Sequence, residues 1–190
     1  MRLSLKHTHV LPEALWPVAD AIATRPVGTP PDPWRLIGNV AVGGLVAVGF
    51  ASSSERLLIV GSSGQTIVDC TTGHRLFRDR ERDGYCAETL SARGLDQSSS
   101  EEIRMCGLHG GALRSVTTDG WSACALAIEW PRQFFILNHP GSDVFMTKLG
   151  RAPEFSVLSS DYEARAFGFS WTGRTLILAD GSGITIWGRP

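Results

Sequence analysis

The chain closes on AFGFSWTGRTLILADGSGITIWGRP (residues 166–190), and residues 48–69, VGFASSSERLLIVGSSGQTIVD, state the same pattern in other words. The two stretches align at an offset of 119, slipping to 118 across a one-residue difference in the first turn. Gly49-Phe50 matches Gly168-Phe169, SERLLIV matches TGRTLIL, and GQTIVD matches GITIWG. Each copy runs from a strand through a Ser/Gly turn with an arginine into a wholly apolar strand. A Gly/Ser turn and a strand alternating apolar residues with Thr complete it. Such internal repetition marks repeated sheet units.

Working outward, short apolar runs broken by Gly, Ser, Asp and Asn fill the chain from about residue 40 onward, the pattern of many short antiparallel strands. It predicts strands near 44–50, 56–61, 65–69, 74–79, 102–106, 112–118, 121–128, 133–138, 143–148, 155–159, 164–170, 174–179 and 183–188. Two hairpins stand out: SVTTDGWSACAL, with an Asp119-Gly120 turn suited to positive φ at both positions, and FFILNHPGSDVFMTK, turning at 138–143. Residues 80–101 are polar and aperiodic, a surface excursion with a turn of helix at 86–92. Before residue 40, RLSLKHTHV alternates as a strand does, and residues 12–23 hold helix formers that Pro17 confines to one short, imperfect helix. RPVGTPPDPWRL then forms a rigid, irregular connector. The expectation is one all-β domain over 1–190: residues 1–39 as strand, helix and connector, and 40–190 as sheet units.

Composition narrows the class. With 43% hydrophobic and 19% charged residues this is an ordinary globular chain. Lys and Arg number 18 against 19 Asp and Glu, so no basic field invites nucleic acid. The longest apolar run, VAVGGLVAVGF at 40–50, is too short to cross a bilayer, and the opening residues have no apolar core of a signal peptide. Cys70, Cys86, Cys106 and Cys124 are too widely spaced for a CxxC pair. The expectation is a cytoplasmic protein with reduced thiols, no cofactor, and neither nucleic acid nor membrane as partner.

At the two copies the sequence resembles a WD-repeat-like β-propeller blade. Val68-Asp69 keeps the Asp of that signature, followed by CTTGHRLFR; Trp187-Gly188 keeps the Trp. The resemblance implies antiparallel sheets in a small, degenerate propeller-like arrangement of up to four blades, the alternative being a β-sandwich-like stack. The last blade then stops one strand short. An inner strand left open would expose unpaired backbone groups, and RLSLKHTHV is the expected substitute.

Candidate sites are sparse. His7 and His9 would share a strand face, but no third ligand accompanies them, which favours an edge strand. GLHGG at 107–111 could shape a pocket around His109 as base, although no partnered nucleophile stands out, so a glycine-rich strand exit is the plainer reading. FRDRERDGY at 77–85 alternates charge, and mixed charge at a rim selects partners. Of six tryptophans most belong in a core; Trp171 replaces a small turn residue and would be a hot spot if exposed.

No acid, base and nucleophile constellation emerges, so the favoured function is a non-enzymatic protein-binding module. The stretches RPVGTPPDPWRLIGN, LHGGALRSVTTDGWSACALAIEWP and RAFGFSWTGRTLIL resemble small bacterial immunity proteins that neutralise polymorphic toxins. That resemblance implies a cognate toxin domain as partner, bound stoichiometrically. The expected contact residues are Arg78, Arg80, Glu81, Arg82, Asp83 and Tyr85, with Trp171 as anchor. The competing readings are an enzyme or small-ligand binder at His109 and a structural subunit of a larger assembly.

Overall fold

Thr175–Ala179 is buried at every position, and a strand without a solvent-facing residue needs a packing layer on each side. The computed structural model describes residues 11–81, 84–161 and 164–190. A 3-10 turn at Glu13–Leu15 leads into the helix α1, Trp16–Ala23, with Pro17 in its first turn. The strands are β1 Arg35–Ala41, β2 Leu45–Phe50, β3 Arg56–Gly61, β4 Gly64–Asp69, β5 His74–Asp79, β6 Tyr85–Cys86, β7 Ser91–Arg93, β8 Glu102–Arg104, β9 Cys106–Gly107, β10 Ser122–Glu129, β11 Arg132–Asn138, β12 Phe155–Asp161, β13 Ala166–Phe169, β14 Thr175–Ala179 and β15 Gly183–Gly188. Among the described residues they form four antiparallel sheets: sheet I β6-β7-β8, sheet II β5-β4-β3-β2-β9, sheet III β1-β15-β14-β13 and sheet IV β10-β11-β12.

Four buried clusters order these sheets as a stack. Ala47, Leu58, Val60 and Ile67 of sheet II meet Ala92 and Ile103 of sheet I. The opposite face of sheet II, with Val48, Phe50, Leu57, Ile59 and Val68, meets Ile177, Ala179, Ile184 and Ile186 of sheet III. Sheet III turns Phe169, Leu176, Leu178 and Trp187 toward Phe135, Leu137 and Leu158 of sheet IV, with Trp34 and Trp121 filling the same core. Beyond sheet IV, Phe134, Ile136 and Val157 pack on Val18 and Ile22 of α1 and on Val144. At the other end sheet I turns the exposed Arg93, Glu102 and Arg104 outward. The stack therefore has one polar end and one helical end, as a solubilising cap requires.

The sequence repeat becomes a structural one. Phe50 lies opposite Leu57 and Leu57 opposite Val68; Phe169 lies opposite Leu176 and Leu176 opposite Trp187. The equivalence therefore holds at 119 residues throughout, and the expected slip to 118 is corrected, because the two turns have equal length. It extends to the outer strand: β1 pairs with β15 as β5 pairs with β4, with a β-bulge between Leu36 and Gly38 matching the register shift between Ile67 and Val68 opposite β5. Sheet III is thus completed by residues 35–41 from the amino-terminal side, of which the sequence reading placed 35–39 in the amino-terminal region that ends in the connector and began the sheet units only at residue 40. The expected substitute, RLSLKHTHV with its His7 and His9, lies outside the described residues.

Other expectations change for physical reasons. Residues 143–148 are no strand: the Asp143 carboxylate accepts the Phe145 N–H at 2.8 Å and the Asn138 side chain accepts the Val144 N–H at 3.0 Å, starting a 3-10 helix, Val144–Leu149. The turn after Asn138 forms, but no hairpin follows it. At Asp119-Gly120 the turn closes with the Thr117 N–H on the Trp121 carbonyl at 2.9 Å, and only Gly120 takes positive φ. The strand expected at 102–106 is divided at Met105 between sheets I and II. The turn of helix expected at 86–92 is instead the hairpin turn between β6 and β7, and the helical turn of this excursion comes later, a 3-10 turn at Asp96–Ser98. Residues 112–118 form no strand and make single bridges, Arg114 to Phe169 and Val116 to Ser122, as the chain passes from the edge of sheet III to that of sheet IV.

That passage explains the repeated glycine. A Cβ at Gly49 would stand 2.3 Å from the Arg104 carbonyl oxygen, and one at Gly168 2.6 Å from the Leu113 Cβ and 2.8 Å from the Arg114 carbonyl oxygen. At both equivalent positions a neighbouring segment lies directly against the strand. Gly49→Ala and Gly168→Ala should each lower stability by about 1–3 kcal/mol in urea unfolding. Gly38→Ala, with nothing within 4 Å of the added carbon, should change it by less than about 0.5 kcal/mol.

Candidate interaction surface

β5 is exposed along His74–Arg78 and, among the described residues, pairs only with β4. Two of its apolar side chains, Leu76 and Phe77, stand 45% and 43% exposed. Arg75 and Arg78 rise over a small pocket of about 60 Å³ between the end of β1 and strands β3 and β4. Arg78 donates to the Ser63 carbonyl at 3.5 Å, and the exposed Arg80 and Glu81 follow, the Glu81 N–H donating to Asp79 at 3.0 Å. Arg82 and Asp83 lie outside the described residues.

Register connects this edge to Tyr85. Asp79 pairs with Gln65, Gln65 with Val60, Val60 with Ala47 and Ala47 with Gly107. Four strand spacings, about 19 Å, therefore separate the charged edge from the Gly107 turn. Two residues beyond Gly107, His109 stacks on Tyr85 with ring centroids 5.7 Å apart, its Nδ1 3.3 Å from the phenol oxygen. Burial, then negative charge at Cys86 and Cys106, raises the Tyr85 pKa. Arg78, Arg80, Glu81 and Tyr85 thus share one end of sheet II, joined there by His109 and by Leu108, which is 60% exposed.

Trp171 lies at the opposite end of the strands, in the β13–β14 turn. Although exposed, it has structural work: its indole N–H donates to the Phe50 carbonyl at 3.1 Å, and its own carbonyl accepts from Arg114 at 2.8 Å. Beside it Thr172 donates to the Glu55 carboxylate. One step toward sheet I, Glu101 accepts the Ser52 N–H at 2.6 Å. One step toward sheet IV, Arg189 grips Asp119 with two N–H groups, donates to the Gly173 carbonyl at 2.9 Å and lies over the Trp34 ring, 4.9 Å from its centroid. These contacts tie four sheets together at their turns, so Trp171 and the Arg78–Glu81 segment do not form one patch. Trp16 and Trp130, which the sequence did not single out, are 53% and 54% exposed, while Trp34, Trp121 and Trp187 are core.

The four cysteines are free thiols in different surroundings. Cys86 is exposed, and hydrogen bonds from the Thr89 hydroxyl and the Thr89 and Glu88 amides lower its pKa. Burial, with the charges of Glu55 and Asp69, pushes Cys70 up, and burial raises Cys124 to about 11 against the Asn138 amide. Among the described residues no group of three or more His, Cys, Asp or Glu could hold a metal ion, and no helix is long and apolar enough to cross a membrane. No protein-family model matches the sequence, and neither does any curated protein.

The Arg189 guanidinium, outweighing slight desolvation, holds the Asp119 carboxyl well below its ordinary 3.8. A depressed folded pKa stabilises above the unfolded value and loses that contribution as pH falls through the folded one. Asp119→Asn should therefore cost about 1 kcal/mol at pH 7, a modest figure because the carboxylate is half exposed. In thermal unfolding the gap between variant and parent should hold down to about pH 5 and shrink below 3.8.

Proposed function

We propose that this chain is a non-enzymatic protein-binding module that neutralises a cognate toxin domain by stoichiometric binding, as an immunity protein does. The exposed outer strand β5 carries the reading. A free sheet edge presents backbone N–H and C=O groups to an extended segment of another chain, and side chains beside it supply selectivity. Arginine and aromatic side chains dominate binding energy at protein interfaces; β5 and its continuation offer Arg75, Phe77, Arg78 and Arg80 in sequence. The surface from this edge to Tyr85 and His109 is wide enough to contribute to the roughly 800 Å² per partner that a stable complex needs.

The scaffold suits the role. Residues of sheet II that face sheet III are equivalent to residues of sheet III that face sheet IV: Leu57 to Leu176, Ile59 to Leu178, Val68 to Trp187. One operation repeated from sheet to sheet relates consecutive propeller blades, whereas two sheets of a sandwich face each other with the same side. We therefore read sheets II and III as consecutive WD-repeat-like blades, with loops and outer strands as the variable surface.

Co-expression with the toxic carboxy-terminal domain of a large secreted protein encoded beside this gene tests the function. Restored growth and a 1:1 complex by size exclusion with light scattering are expected. Arg78→Ala and Arg80→Ala should each weaken that complex about tenfold, more at low than at high salt, without changing the melting temperature. No protection and no complex would overturn the reading.

A further inference from the structure

The helical end of the stack holds a second surface, remote from β5. α1 and the 3-10 helix Val144–Leu149 lie side by side on sheet IV. Between them runs an open groove of about 530 Å³, lined by Pro17, Ala21, Phe155 and Pro153 and by two arginines, Arg25 and Arg151. Its volume is that of a ligand-sized site. Around it Trp16, Phe145 and Leu149 expose apolar surface, Leu149 to 73%.

The charges of this region are unbalanced. Arg25, Lys148 and Arg151 stand together, and among the described residues none has a carboxylate within ion-pair distance. The acid nearest Arg151 in sequence, Glu154, is directed to His139 at 3.8 Å, and Asp143, nearest Lys148, accepts the Phe145 N–H at 2.8 Å. Arg25 is held in place: its guanidinium lies over the Phe155 ring, 5.0 Å from the centroid, and one terminal N–H donates to the Pro153 carbonyl at 3.3 Å. A guanidinium fixed by an aromatic face and one hydrogen bond keeps its remaining donors for a planar anion, the geometry that carboxylates match. Lys148 is similarly drawn over the Phe145 ring, 5.6 Å from its centroid.

We propose that this groove binds an acidic segment of a polypeptide partner, its carboxylates meeting Arg25 and Arg151 and its apolar side chains entering between Pro17, Ala21 and Phe155. A concave site with two arginines in its lining fits a chain laid along it. A lipid surface would be met better by a protruding apolar tip. The site stands apart from the β5 edge, two sheets away, and does not depend on what that edge binds.

The test uses the full chain and a fluorescent dodecapeptide alternating glutamate with leucine, followed by anisotropy at low and moderate salt. Saturable binding is expected, with affinity falling as salt rises. Arg25→Gln and Arg151→Gln should each reduce affinity about tenfold, whereas Arg78→Gln should leave it unchanged. Among the described residues Arg151 makes no side-chain hydrogen bond, so its variant reads the site even if Arg25→Gln disturbs packing on Phe155. Equal binding of a peptide with lysine in place of glutamate, or full affinity in Arg151→Gln, would overturn the proposal. Arginine-dependent binding to anionic phosphatidylserine vesicles that the peptide fails to compete would also overturn it, in favour of a membrane surface.

Discussion

The structure depends on central strands that are apolar on both faces. In β3, Leu57 and Ile59 face one core while Leu58 and Val60 face another; in β14, Leu176 and Leu178 oppose Ile177 and Ala179 in the same way. Burying one such side chain contributes roughly 1.5–3 kcal/mol, so leaving either face in water would forfeit several of these at once. A sheet covered on both faces demands two neighbours, and each neighbour raises the same demand until a layer arrives that tolerates water. Sheet I meets that condition with charged residues on its outer face. Sheet IV does not, and α1 with the 3-10 helix covers it.

The same demand explains the chain's route. Sheet III has a fourth strand beyond β15. β1 fills the position, already held nearby because Trp34 is packed against Trp121 and Phe169 at centroid distances of 5.9 and 5.6 Å. Proline and glycine in the preceding connector set its course, and the tryptophan anchors its end.

The repeat was legible because apolar periodicity and turn glycines are local signals, and they located β3, β5 and β15 at their observed bounds. β1 was not, since RLIGNVA contains Gly38 and Asn39 and alternates weakly; its strand character comes from an open edge some 150 residues further along. The 3-10 helix was misread because VFMTK follows the turn at 138–143 as the second arm of a hairpin would, while the cap at Asp143 prevails over that pattern. That misreading also hid the groove beside α1. Of the contact residues, Arg78, Arg80 and Glu81 were visible in a run of alternating charge, but the side chains that accompany them could be found only from register, which brings Gly107, and with it His109, into line with Asp79.

Glycine at 49 and 168 decides where binding surfaces can lie. By admitting the segments at Arg104 and at Leu113–Arg114, these residues let residues 104–116 run past β2, β13 and β10, so the inner edges of sheets II to IV are already occupied by the chain itself. The turns that carry Trp171 are bound to one another by Glu101, Glu55 and Arg189 and have few donors to spare. Among the described residues, the outer edge along β5 and the helical end are two surfaces left open. Both combine arginine with exposed aromatic or aliphatic side chains, although the formal net charge of the chain is only −1. On a nearly neutral protein, arginine set beside apolar side chains suits the proposed local recognition of carboxylate-bearing polypeptide better than long-range attraction to a uniformly charged polymer.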